Sequence, residues 1–351
     1  MSLINAVIVQ HDRTVSIQKV PLPKLHDEWI LVQVKAVALN PTDWKKVVMG
    51  WTDTGSRLGV DYSGVVEDVG SKVTRFRKGD RVAGLVNGGD TLNHDNGAFA
   101  TYIIAKECVQ IHIPDNLSFE QAATVGLGVV TCGQGLYRAL QLPLPDSGSK
   151  LPIPVLIHGA STSTGILGIQ LAKVSGLFVI ATASPHNFQY LESLGADAVF
   201  DYHSPTAGSE IRALTENKLK HAWDCAGNGE VICANALSDC EPSRYAGINL
   251  SDDGAVLQRI NSMVEGPILT AGYDVFGENW AFGDILVPAK PDEMAFASRF
   301  LAIAQSMLAE GTLLPVNATV KKFENGLEGV IKGLDELRRG KLSATKLVYT
   351  F

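Results

Sequence analysis

The chain has 351 residues, with 37 Asp and Glu against 30 Lys and Arg, for a net charge of −7. A hydrophobic fraction of 46% and a charged fraction of 19% are those of an ordinary globular protein, and the length asks for two domains. The acidic balance, with no long basic run, excludes a nucleic-acid binder.

Residues 1–9 carry no basic segment ahead of an apolar core, so they read as a first strand and not as a leader. Strand-like runs at 30–38, 64–69, 81–86 and 98–105 follow, separated by Gly, Asp and Asn turns such as Gly79-Asp80. This is a β-rich, barrel-like segment. A boundary falls at 126–128, a helix is expected over 129–139, and a Pro- and Gly-rich stretch covers 143–154. Residues 155–157 then read as a buried strand, breaking into a small-residue loop and a helix over 165–174. Strand, tight loop and helix N-terminus is the arrangement that receives a pyrophosphate. The G-x-G-x-x-G signature is degraded: Ala160 and Thr162 stand at the first two glycine positions and Gly165 at the third.

The alternation continues. A strand at 177–183 and a helix at 186–194 precede a strand at 198–200, a helix at 210–214 and a strand at 221–225. Strands at 245–250 and 268–275 complete about six, the pattern of a doubly wound parallel sheet. From 276 onward a helix at 293–310 is closed by Gly311, a second runs over 327–338, and 346–349 is a strand. The expected organisation is α/β, with one domain from residues 1–126 and 276–351 and a nucleotide-binding domain over 127–275. No apolar run approaches the ~20 residues that span a bilayer. Five scattered cysteines form neither a metal-ligand nor a disulfide pattern and point to a reducing, cytoplasmic setting.

The loop hydroxyls of Ser161, Thr162, Ser163 and Thr164 read as donors to a pyrophosphate beside Gly165, or as a run that caps the helix. A 2′-OH cofactor is held by an acid about 20 residues after the glycine loop. The second strand ends instead on Ser184-Pro185-His186-Asn187. That favours NADPH, with Ser184, Asn187 and Tyr202 as donors to its 2′-phosphate; the same residues also suit a Ser-Pro helix start. His158 reads more readily as a hydrogen-bonded core histidine.

Three segments in order carry a family resemblance: 59–66 (GVDYSGVV), 76–82 (FRKGDRV) and 97–102 (GAFATY). With the layout, they resemble the medium-chain dehydrogenase/reductase superfamily over the full length. That implies a doubly wound Rossmann domain and a β-rich GroES-like catalytic domain formed by both chain ends. Zinc alcohol dehydrogenases of that superfamily carry Cys where this chain has Asn40 and Gly-His-Glu where it has Gly59-Val60-Asp61. The four-cysteine lobe is also missing. The resemblance is therefore to the zinc-free branch, with no metal expected.

Within that branch, residues 40–45 (NPTDWK), 158–165, 183–188, 200–205, 222–225 and the tail 340–349 are most similar to fungal trans-acting enoyl reductases of polyketide pathways, of the lovastatin enoyl reductase type. The resemblance implies NADPH-dependent reduction of an α,β-unsaturated acyl thioester on a polyketide synthase carrier domain, in secondary-metabolite biosynthesis. It places Lys45 and Thr131 near the nicotinamide. Lys45 then serves the thioester carbonyl, or is a surface lysine beside Lys46; Thr131 orients the nicotinamide or bonds back within its helix. Asn40, at the former zinc-ligand position, is a further donor. A non-redox isomerase or cyclisation enzyme on the same scaffold, and a zinc-free quinone oxidoreductase, remain open, as do monomer and homodimer. Lys72, Arg75, Arg77 and Lys78 are either a basic patch for an acidic carrier domain or a solvated turn.

Overall fold

Apolar residues run almost unbroken through residues 29–38, and they form the strand around which the β-rich part is built. The computed structural model describes residues 2–148, 152–321, 326–340 and 342–351. Residues 149–151 of the Pro- and Gly-rich stretch and Lys341 of the tail lie outside these. The chain divides into two units, one of residues 1–127, 273–309 and 315–351, the other of 128–272 and 310–314.

The first unit begins with β1 (Leu3–Val9), β2 (Val15–Pro21), β3 (Trp29–Ala38), α1 (Pro41–Met49), β4 (Asp61–Val69), β5 (Arg81–Leu85), β6 (Tyr102–Lys106), β7 (Gln110–His112) and α2 (Phe119–Ala122). The unit boundary falls within α3 (Gly126–Cys132). The second unit alternates β8 (Pro154–His158), α4 (Ser163–Val174), β9 (Phe178–Ala183), α5 (Phe188–Ser193), β10 (Ala198–Asp201), α6 (Ala207–Leu214), β11 (His221–Asp224), α7 (Glu230–Ala236), β12 (Ser243–Gly247), α8 (Gly254–Ile260) and β13 (Val264–Leu269). The chain then adds β14 (Trp280–Phe282), β15 (Ile285–Val287), α9 (Pro291–Glu310), β16 (Ala318–Val320), α10 (Gly326–Arg338) and β17 (Lys346–Thr350).

The seven-stranded sheet of the first unit runs β16-β17-β3-β4-β5-β7, with β6 also paired to β3. The last strand, β17, thus lies antiparallel against the third, with Val348 opposite Ala38. The second unit is a parallel sheet in the order β10-β9-β8-β11-β12-β13. Its strand order reverses between β8 and β11, where such sheets bind ligands beyond the carboxyl ends.

Four expectations shift. The last strand of the parallel sheet is Val264–Leu269 and not 268–275; Gly272–Phe276 is a 3-10 turn. The strand contains Pro267, which a sheet tolerates here because β13 is its edge. Residues 98–101 precede β6 and bond irregularly along β1, through Val7 N–H to Phe99 O and Thr101 N–H to Asn5 O. The helix expected over 129–139 starts at Gly126, and its second half, Gly133–Ala139, is a π-helix. Of the five cysteines, all free, Cys132, Cys225 and Cys233 are core residues, whereas Cys108 is half-buried and Cys240 exposed.

Trp223 of β11 is fully buried. Helix α4 crosses it at Gly168, where a Cβ would sit 2.6 Å from Trp223 Cζ3. Only glycine allows that approach. Gly168→Ala is expected to destabilise this unit by about 1–3 kcal/mol, the usual cost of overpacking. Urea unfolding followed by tryptophan fluorescence measures it, and an unchanged midpoint would mean that α4 moves outward freely.

Candidate active site

In the first unit the candidate residues gather at α1. Pro41 at its first position and Gly50 in the left-handed conformation (φ 71°) bound the helix. Asn40 caps the entry and is buried. Its backbone N–H donates to Asp43 Oδ2 at 2.7 Å, and its Nδ2 donates to Asp61 Oδ2 at 3.0 Å. Asp61 has no exposed surface. It also accepts the Leu127 N–H at 2.7 Å and pairs with the buried ammonium of Lys346. The expectation that Asn40 serves a substrate thus meets a competing partner, because its amide is already engaged by Asp61.

The two adjacent lysines separate. Lys45 is half-buried and has no hydrogen bond or ion pair within the described residues. Lys46 turns inward and is only 3% exposed. Its Nζ donates to Asn87 Oδ1 at 3.1 Å and Gly88 O at 2.7 Å, and lies 3.9 Å from the centroid of the Tyr273 ring. Burial pushes its pKa down to about 8, against the opposing pull of Asp90 and Asp43. The Tyr273 hydroxyl bonds Thr42 Oγ1 at 2.7 Å, one turn before Lys46 on α1. Burial also raises Asp43 to about 7, with Asp61 adding to the shift, and its Oδ1 has no partner.

In the second unit, Thr162 is the N-cap of α4, its Oγ1 accepting the Gly165 N–H at 3.0 Å. Ser161, Ser163 and Thr164 are half-buried around it. A Cβ at Gly165 would lie 2.6 Å from Ala160 Cα, so the loop and helix touch backbone to backbone. Thr131 is buried on α3, whose next residue, Cys132, donates its thiol to Thr164 O at 3.4 Å. Thr131 therefore lies on the helix beside the start of α4. At the end of β9, Ser184 Oγ donates to Tyr202 Oη at 3.4 Å, and Tyr202 is 44% exposed. Asn187, on the same turn, is buried. The nearby Asp201 carboxylate accepts both the backbone N–H and Nδ1 of His203. His158 Nδ1 lies 2.9 Å from Thr182 Oγ1, and burial lowers its pKa. The structure thus groups Ser161–Gly165 with Thr131, and Ser184 with Tyr202. Asn40 and Lys45 belong to the other unit.

Three of the four basic side chains have an acidic partner where they stand. Lys72 pairs with Asp27, Arg77 with Asp80 and Lys78 with Glu67, while Arg75 bonds the Glu107 and Gln110 carbonyls. Among the described residues no helix is long and apolar enough to cross a membrane.

The GroES-like domain model of alcohol dehydrogenases matches residues 26–115, and the zinc-binding dehydrogenase model matches 163–238. A trans-enoyl reductase of Alternaria alternata, ACTTS2, is 40% identical over 98% of this chain and 98% of its own length. The chain belongs to the trans-enoyl reductases. A second trans-enoyl reductase, resD of Aspergillus sclerotiorum, is 40% identical over 97% of this chain and 95% of its own. The crystal structure of the CurK enoyl reductase superposes with a TM-score of 0.77 over 99% of both chains at 17% identity, a likeness of fold.

Membership implies a nicotinamide cofactor, and the second unit fits one: α4 begins at a close-packed loop of small and hydroxyl residues beyond the carboxyl end of β8. A zinc ion, named by the second family model, does not fit this trans-enoyl reductase. Val60 offers no ligand atom, the Asn40 amide is bound to Asp61, and Asp61 is already balanced by an ammonium. Among the described residues no three His, Cys, Asp or Glu side chains gather to hold a metal.

Lys46, Tyr273, Asp61 and Lys346 are the polar residues whose roles the residue pattern did not reveal. A signal existed for the last two: each is the first residue of its strand, and an acid or a lysine that becomes buried there is almost never unpaired. Lys346→Met leaves the Asp61 charge buried without its counter-ion, so a loss of about 3–5 kcal/mol is expected. The double variant with Asp61→Asn should recover part of it. Thermal unfolding of wild type and the two variants tests this; equal stability of Lys346→Met and wild type would contradict it.

Proposed function

We propose that this trans-enoyl reductase uses NADPH to reduce the carbon–carbon double bond of an α,β-unsaturated acyl thioester carried on a polyketide synthase carrier domain, acting in trans in the cytoplasm on a secondary-metabolite intermediate. The observation that carries the reaction is the near full-length likeness to trans-enoyl reductases. Bound cofactor supplies a hydride to the β-carbon. The chain's residues must hold it, orient the acyl group and balance the negative charge that develops on the thioester oxygen. Lys45, half-exposed and without an internal partner, is the donor for that oxygen. Asn40 acts indirectly, holding the start of α1 through Asp61 and Asp43. Thr131 orients the nicotinamide, and the N–H groups of α4 with Ser161, Ser163 and Thr164 receive the pyrophosphate.

The NADPH reading is supported by the turn after β9. It carries no acid, it brings the Ser184 and Tyr202 hydroxyls together, and the one nearby carboxylate, Asp201, is engaged by His203. Oxidation of NADPH in the presence of an unsaturated acyl pantetheine thioester tests the whole reading. Turnover of quinones with none of the thioester would replace it with a quinone oxidoreductase. Absence of NADPH binding up to millimolar concentration would point to non-redox isomerase or cyclisation chemistry.

Ser184→Asp sets a carboxylate against the 2′-phosphate. Like charges this close cost on the order of 1–4 kcal/mol, so NADPH affinity should fall about tenfold or more while NADH affinity holds or improves. Titration of both cofactors checks this, and an equal loss for both would mean that Ser184 supports the loop and does not read the phosphate.

A further inference from the structure

Lys45 and Met49 are four residues apart on α1 and so share one face, a turn of about 5.4 Å from each other. Met49 is 52% exposed. The chain turns at Gly50 and lays Trp51 against Phe282 of β14, with ring centroids 4.0 Å apart. Phe282 meets Trp280 edge-on at 6.5 Å, and Trp280 packs 5.3 Å from Tyr273, the ring beneath Lys46. A row of aromatic rings therefore runs from the buried polar face of α1 out to the surface. There β14 and β15 form a hairpin with no third strand among the described residues. A Cβ at Gly283, in its turn, would lie 3.8 Å from Gly50 O, so the hairpin sits beside the end of α1.

Beyond the turn, Ile285 and Leu286 are 66% and 60% exposed. Successive strand residues point to opposite faces, so the hairpin presents apolar side chains on both. Isolated two-stranded hairpins are marginal in water, yet this one is pinned at its base: Trp280 Nε1 donates to Asp274 Oδ1 at 3.0 Å, and Lys290 holds the other oxygen of Asp274 at 2.8 Å. A rigidly anchored apolar surface left open to water marks a binding face.

We propose that Met49, Trp51, Phe282 and Ile285, the last two paired on one face of the hairpin, receive the apolar tail of the acyl chain and so set the enzyme's chain-length preference. The proposal rests on the reading of Lys45 as the donor to the thioester. An acyl tail is the occupant because the surface begins one turn from Lys45 and the four side chains that form it are uncharged. A protein occupant is disfavoured by charge: the turn bears Asp284, which repels an acidic carrier domain.

The test compares trans-2-butenoyl and trans-2-decenoyl pantetheine thioesters with wild type, Met49→Ser and Ile285→Ser, with Leu286→Ser, on the opposite face of the hairpin, expected to behave as wild type. These side chains are exposed, so folding is not at stake. The expected result for Met49→Ser and Ile285→Ser is a KM for the decenoyl thioester raised about tenfold more than that for the butenoyl one, with kcat for both retained. In these two variants an equal change for the two lengths, or no change, overturns the proposal. A loss seen only with carrier-bound substrate, and not with pantetheine thioesters, also overturns it and makes the hairpin a contact for the synthase. Wild type that turns over neither thioester fails before any variant is compared, and brings down the reaction reading together with this one.

Discussion

Asp61 brings a carboxylate to a place with no exposed surface, and Lys346 brings the ammonium that pairs with it. An ion pair withdrawn from water recovers its desolvation cost only when its remaining hydrogen-bonding capacity is also met. Here the Asn40 amide and the Leu127 N–H meet it. The four groups come from four stretches of chain: the entry to α1, strand β4, the start of α3 and strand β17. One buried charge therefore holds the cap of α1 in place, and with it every polar residue that the helix carries.

Helix α1 shows how a single turn separates two identical side chains. Its buried residues are Asp43, Lys46 and Val47, spaced three and four apart, so its inward stripe is largely charged. Lys46 is stabilised there by two oxygens and an aromatic face, an arrangement that favours a cation without offering it to a ligand. Lys45, one residue earlier, is rotated out of that stripe. Among the described residues its ammonium is held over no ring and by no acid. Tyr273 joins the pair of roles: its ring lies under Lys46 and its hydroxyl meets Thr42, so the segment re-entering the first unit is keyed to the same helix face.

Much of the scaffold was legible in the residues. The run from Val155 into the small-residue loop at Gly165 is a strand, a turn and a helix because each local preference agrees with the others, and the alternation after it leads directly to a parallel sheet. β13 lies at Val264–Leu269 and not at 268–275 because a strand that contains Gly266 and Pro267 is acceptable at a sheet edge, which no local pattern reveals. The inward face of α1 was illegible for a stronger reason. Periodicity finds buried faces by their apolar residues, and this face is filled with an acid and a lysine. Ser184 and Tyr202 were chosen from separate strand ends, and they meet because β9 and β10 are neighbours in register, Asp201 lying opposite Ala183. For the turn of 72–78, the positive charge and the adjoining Asp80 were both visible, but Asp27 and Glu67, the partners of Lys72 and Lys78, stand farther off along the chain.

The pairing of β17 with β3 also bears on how the molecule is made. Asp61 leaves the ribosome 285 residues before Lys346. The six strands of the parallel sheet are complete by residue 269. Domains fold as units while the chain is still growing, so that sheet is free to form while Asp61 still lacks its counter-ion and β3 still lacks a neighbour. Most of the first unit is synthesised first and closed last, and until its final strand arrives, the charge at its centre belongs in water.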